Sequence, residues 1–231
     1  IYGSEDFIKK NTLHIDDDLL VINKPYNLAV QGGTGIKRHL DGLLLSAFSS
    51  KKIIPRLVHR LDKETSGVML IALNRKMASH LSSLFKNKEI YKTYWAITEG
   101  SPEKTKGEIT LTIENNEKKE GYNSLTKYNR VLKINDDLSW VAFRPVTGRT
   151  HQIRKHASML NFPIVGDKKY GNKNQKKIKF NKLHLHSHSV DFKGLNGEIL
   201  HFEAPLPDHM METWIKYNLP LKLDNDFFIG D

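Results

Sequence analysis

The chain has 231 residues, 39% hydrophobic and 27% charged, with a formal charge of +10 and no cysteine. Such a length can bury a sizeable core, and the missing cysteines exclude disulfides, thiolate chemistry and Cys-ligated metal sites. The positive charge makes nucleic acid the expected partner, because binding a polyanion releases its counterions; lysines that only solubilise the surface are the plain alternative. No apolar stretch approaches the ~20 residues of a membrane-spanning helix, and no signal-like start is seen, so a cytoplasmic location is expected.

Residues 1–18 are mixed polar and are taken as an N-terminal segment, the remnant of a linker, with 19–231 as the folded domain; the lack of an initiator Met suggests a cut upstream. Residues 19–23 read as a short buried strand ended by Pro25, and 31–35 as a Gly-rich loop. Leu40, Leu43, Leu44 and Ala47 recur at helical spacing. Next comes His59-Arg60-Leu61-Asp62-Lys63-Glu64-Thr65-Ser66-Gly67, followed by the apolar run 68–73. A carboxylate flanked by Arg60 and Lys63 at the mouth of a buried strand is an anion held by cations beside an apolar wall. A turn-capping Asp is the bland reading of the same residue.

Met77, Leu81, Leu84 and Phe85 predict an amphipathic helix over 76–88. Residues 90–98 form the next predicted strand, with Tyr91 and Tyr94 on opposite faces because their separation is odd. Residues 107–113, 122–134 and 138–143 read as an antiparallel meander. Thr150 is the predicted cap of a helix to about 160, on which His151, Arg154 and Ser158 share one face. Residues 168–182 hold seven lysines and no acid, a basic loop suited to a phosphate backbone. In the strand 183–192, His184, His186 and His188 alternate onto one face, which raises a zinc hypothesis; no neighbouring carboxylate supports such ligands. Asn196-Gly197 turns the chain into a strand over 198–203, and Met210, Met211, Trp214 and Ile215 mark a final helix. The predicted architecture is α+β: one domain on a mixed, mainly antiparallel sheet with flanking helices.

The His59–Gly67 stretch resembles the signature of the RluA-type pseudouridine synthases. Asn23-Lys24-Pro25 with Leu28-Ala29-Val30 is similar to that family's first motif, Lys92-Thr93-Tyr94-Trp95-Ala96 to its tyrosine motif, and Gly148-Arg149-Thr150-His151-Gln152-Ile153-Arg154 to its third. Pro163 to Asp167, Tyr170-Gly171 and Leu183 to His186 follow in the family's order, and Gln31 to Gly35 looks most like the branch acting on large-subunit ribosomal RNA.

The resemblance implies the pseudouridine synthase fold and isomerisation of uridine in RNA, ribosomal RNA above all, by a monomer needing no cofactor and no metal. It implies that Asp62, Tyr94 and Arg154 meet in a cleft. Asp62 attacks C1′ or removes a ribose proton, Tyr94 stacks on the base, and Arg154 steadies the carboxylate; pairing with some other acid or pointing to solvent is the commoner fate of a lone helical arginine, a preference that the resemblance reverses. Arg60 would fill the space of a flipped nucleotide or bind phosphate, and Leu185 would touch the uracil. Lys24 and Arg149 would bind substrate. A non-catalytic basic RNA-binding module and a His-ligated, metal-dependent nuclease are the competing readings.

Overall fold

In the computed structural model the described residues are 3–114, 121–172, 180–223 and 228. The strands are β1 (Thr12–Ile15), β2 (Leu19–Lys24), β3 (Arg56–Leu57), β4 (Ser66–Ala72), β5 (Tyr91–Glu99), β6 (Lys106–Glu114), β7 (Gly121–Lys133), β8 (Leu138–Pro145), β9 (Leu185–Lys193) and β10 (Ile199–Glu203). The helices are α1 (Ser4–Asn11), α2 (Leu40–Phe48), α3 (Arg75–Lys86), α4 (Gln152–Met159) and α5 (Asp208–Lys216). Contacts gather into two compact units, Ile1–Lys92 with Ser187–Pro207 and Thr93–His186 with Asp208–Asp231. The architecture is α+β and mainly antiparallel, as the sequence predicts; a parallel bridge joins Ala29 to His39.

In the first unit β4 is the central strand. All seven of its residues are buried, which is why it reads as a continuous apolar run rather than an alternating one. β2 pairs with it antiparallel from Leu19↔Ala72 to Lys24↔Gly67, β3 joins at Arg56↔Ala72 and Leu57↔Ile71, and β10 pairs with β9. Leu19, Val21, Val68 and Leu70 form one core with Met77, Leu81 and Leu84 of α3. That helix starts at Asn74, whose side chain accepts the Met77 N–H, a cap the periodicity alone does not reveal. Residues 4–15 carry α1 and β1, and β1 pairs with β2, although their polar composition gives no such sign. β3 is too short to show a period.

The second unit is built on the predicted meander, β5–β8–β7–β6, with antiparallel pairing throughout. Trp95 and Trp140 meet edge to face at 4.8 Å, and Trp214 of α5 stacks on Trp95 at 6.0 Å. All three rings are buried, and such aromatic contacts add to the stability of the core. Thr150 is not the cap of α4: His151 holds that position with φ 55° and no side-chain cap bond. Of the basic segment, residues 173–179 lie outside the described residues.

Candidate active site

Asp62 lies on the loop between β3 and β4, half-buried, with Arg60 and Lys63 exposed on either side. The loop is tied down by its own unit. The Thr65 N–H donates to the Asp62 carbonyl at 3.0 Å, and the Leu70 N–H of β4 donates to His59 Nε2 at 2.8 Å. Lys24, at the end of β2, donates from Nζ to the carbonyls of Leu28 (2.8 Å), Pro25 (3.0 Å) and Lys63 (3.2 Å). Its exposure is 0%. Lys24, expected to bind substrate, gives the three donors of its ammonium to carbonyls and so joins residues 25–28 to the Asp62 loop. Burial pushes Lys24 down to about 7, while the negative charge of Asp62 acts the other way. Tyr26 adds a bond from its hydroxyl to Glu64, at 3.3 Å.

In the second unit the shared face of α4 does what its spacing suggests, against a partner the spacing could not name. Arg154 donates from Nε and Nη2 to the two oxygens of Asp167, both at 2.7 Å, His151 Nδ1 bonds the Tyr170 hydroxyl at 3.0 Å, and Ser158 donates to the Tyr170 carbonyl. Three residues of one helix face thus grip 167–170, and Arg154 also lies 5.2 Å from the Tyr170 ring centre. Burial favours the neutral acid, but the bonds from Arg154 and from the Tyr170 and Lys169 amides outweigh it and hold Asp167 below the ordinary carboxylate value. The acid paired with Arg154 here is one the sequence reading gave no role. The burial of Arg154 demands a partner for its charge, but nothing in the sequence names Asp167.

Arg149 is exposed on the loop before α4, and that loop is fixed by Gln152. Gln152 Oε1 accepts from Thr147 Oγ1 (2.7 Å) and the Arg149 N–H (3.1 Å), while Nε2 donates to the Leu125 carbonyl and Thr126 Oγ1. His156 continues the network. Ser124 Oγ donates to the Leu111 carbonyl and so accepts from His156 Nε2, leaving Nδ1 to accept from Thr126. Burial, then Lys155, push His156 down to about 4, in keeping with that neutral form.

Tyr94 on β5 is 7% exposed, opposite Phe143 of β8, whereas Tyr91 is 52% exposed, in keeping with their odd separation. Leu185 opens β9 and is buried. His184 precedes the strand; one ring nitrogen bonds the Lys182 carbonyl and the other Thr213 Oγ1, so neither is left for a metal. Among the described residues no three His, Cys, Asp or Glu side chains are grouped to hold an ion.

Comparison with known proteins agrees with this architecture. The family model described as RNA pseudouridylate synthase matches residues 18–159. Ribosomal large subunit pseudouridine synthase C of Rickettsia felis is 38% identical over 215 residues, covering 88% of this chain and 70% of that protein. An uncharacterised RNA pseudouridine synthase of Zymomonas mobilis is 39% identical over 87% of this chain and 95% of its own length. Among solved structures, human RNA pseudouridylate synthase domain containing 4 superposes with a TM-score of 0.82 at 27% identity, covering 95% of this chain and 97% of that one. The chain belongs to the RNA pseudouridylate synthase family, in its RluA-type branch, and is an isomerase that turns uridine in RNA into pseudouridine.

Proposed function

We propose that this enzyme modifies specific uridines of large-subunit ribosomal RNA, with Asp62 as the reacting carboxylate, acting in the cytoplasm as a monomer without cofactor or metal. The names of the Rickettsia relatives support the substrate. The observation that carries the role of Asp62 is the tie on its loop: the fully buried Lys24 joins the Lys63 carbonyl, next to Asp62, to the carbonyls of Pro25 and Leu28. Desolvating an ammonium is costly, and a turn-capping Asp needs no such support.

In one route the Asp62 carboxylate attacks C1′, breaking the bond to N1 and releasing uracil as an anion; the base turns, C5 attacks C1′ and expels the carboxylate, and C5 loses a proton as N1 gains one. In the other, Asp62 removes a ribose proton as the N1–C1′ bond breaks and returns it to the sugar when C5 joins C1′, after which C5 loses a proton as N1 gains one. Tyr94 stacks on the detached base, Arg154 is the cation of the reaction, and Leu185 contacts the uracil. Arg60, exposed beside Asp62, fills the place of the flipped nucleotide, whose extrusion costs about a few kcal/mol, and Arg149 binds the RNA backbone.

The test compares wild type with Asp62→Asn on unmodified ribosomal RNA and transfer RNA, mapping product with a pseudouridine-specific chemical probe. Product on ribosomal RNA from wild type alone, with RNA binding equal in both, supports the reading. An active Asp62→Asn overturns it, and abolition by a chelator would mark a metal-dependent enzyme instead.

A further inference from the structure

His59 makes the contact that β3 stops short of. The register of β3 on β4 ends at Leu57↔Ile71, and the next residue along β4, Leu70, gives its backbone N–H to the His59 ring. Leu70 is 0% exposed, so the imidazole supplies an acceptor to an amide that has no water to turn to. Accepting at Nε2 requires a neutral ring with its proton on Nδ1. The surroundings keep it so. The ring stacks on Phe85 of α3 at 4.8 Å and 29°, the Lys92 ammonium lies 5.7 Å from the centre of that same Phe85 ring, and burial followed by the Lys92 charge push His59 down to about 3.

The attachment matters for where it falls in the chain. His59 precedes Asp62 by three residues; beyond Asp62 the loop is held by Lys24 at the Lys63 carbonyl and by its own turn at Thr65. Of these ties, the one at His59 is made by a loop side chain reaching to the backbone of the central strand, so it sets the point from which Arg60-Leu61-Asp62 departs.

We propose that His59 is a positioning residue for the isomerisation: bonded to the Leu70 amide and stacked on Phe85, its imidazole sets where the Asp62 carboxylate is presented. This rests on the reading of Asp62 as the reacting group. His59 itself touches no substrate, so its loss should slow the chemical step and leave RNA binding alone.

Two variants of the whole chain separate its two contacts. His59→Gln places an amide oxygen near the position of Nε2 and keeps the acceptor; His59→Phe keeps the stacking ring and loses the acceptor. On unmodified ribosomal RNA, His59→Phe should lose at least about tenfold in kcat with KM within about twofold of wild type, and His59→Gln should recover most of that loss. Should His59→Phe fail to fold, His59→Asn takes its place: its oxygen falls at the Nδ1 position, so it should lose the kcat that His59→Gln keeps. Wild-type kcat in the acceptor-less variant, equal loss in both, or a raised KM with unchanged kcat each overturns the inference. Asp62→Asn is measured alongside. If it is inactive while His59→Phe is fully active, this inference alone fails; if it is active, the reading of Asp62 fails.

Discussion

Arg154 of α4 and Asp167 form a two-point ion pair whose side chains are 5% and 1% exposed, each guanidinium nitrogen 2.7 Å from its own carboxylate oxygen. A pair so deeply buried gains little over a well-packed apolar pair, but removing one partner strands a charge. Asp167→Ala should therefore cost about 3–5 kcal/mol, read from the urea midpoint. Arg154→Met with Asp167→Leu should be far less damaging to stability while losing activity. A double variant as unstable as Asp167→Ala would show that packing rather than the stranded charge sets the cost.

Acid should weaken the fold through its buried histidines. Burial is the leading cause that pushes His156 and His184 down to about 4 and His59 to about 3 from an ordinary 6.5. Between 6.5 and about 4 the unfolded chain thus binds protons that the native one refuses, and stability falls as pH falls through that window. Asp167 has the same sign lower down: its stabilisation is full above the ordinary 3.8 and is lost as pH drops through its lowered native value. His201 runs the other way, since Glu203 and Asp191 raise it against burial; its contribution is present below 6.5 and lost at higher pH, and its exposure keeps it small. Urea titrations at pH 7, 5.5 and 4 should show a steady decline, shallower in His156→Gln with His184→Gln. A flat profile would show that these rings accept protons in the native state.

Much of this was legible in the chain because strong periods and turn chemistry need no tertiary context. The apolar run of β4, the helical spacing of Met77, Leu81 and Leu84, and the Asn196-Gly197 turn all led to elements found within a few residues of their predicted ends. Asp62 was singled out for the charges beside it, and they are there. What escaped depends on partners far away in sequence or on local polar bonds. The three carbonyl acceptors of Lys24 are not readable from its motif, which suggests only a substrate contact. The N-cap of α4 falls on His151 rather than Thr150, without a side-chain bond, while the Gln152 amide ties the loop before the helix to β7. Asp167 could not be matched to Arg154 by any short-range rule, and residues 4–15 carry too few apolar side chains to announce a helix and strand.

Gly67, the second residue of β4, has φ +115°, and a Cβ there would run into the backbone of Ser187 on β9. Neither backbone can yield without breaking strand pairing, so Gly67→Ala should destabilise by about 2–5 kcal/mol through strain and overpacking together. Gly148→Ala is the matched control: nothing lies within 4 Å of its Cβ, and the change should stay within about 0.5 kcal/mol. Equal midpoints for the two variants would refute the close approach.

Lys24→Met should separate stability from activity. The substitution leaves the carbonyls of Leu28, Pro25 and Lys63 without their shared donor, at about 1–3 kcal/mol for a buried polar group left unmade. It also removes a buried ammonium, whose desolvation penalty is several kcal/mol before its bonds offset it. That penalty is largest where the folded lysine is charged, below about 7, and is relieved as pH climbs toward the ordinary 10.5. The two effects oppose each other, so at pH 6 the net change in stability should be no more than about 2 kcal/mol. The Asp62 loop gains nothing from the compensation, because an apolar methionine cannot hold the Lys63 carbonyl. Turnover should fall by at least about tenfold with KM nearly unchanged, measured on ribosomal RNA beside a urea titration of the same preparation. Full turnover in Lys24→Met would mean that the loop keeps its shape without the lysine, and that the burial of Lys24 serves the fold alone.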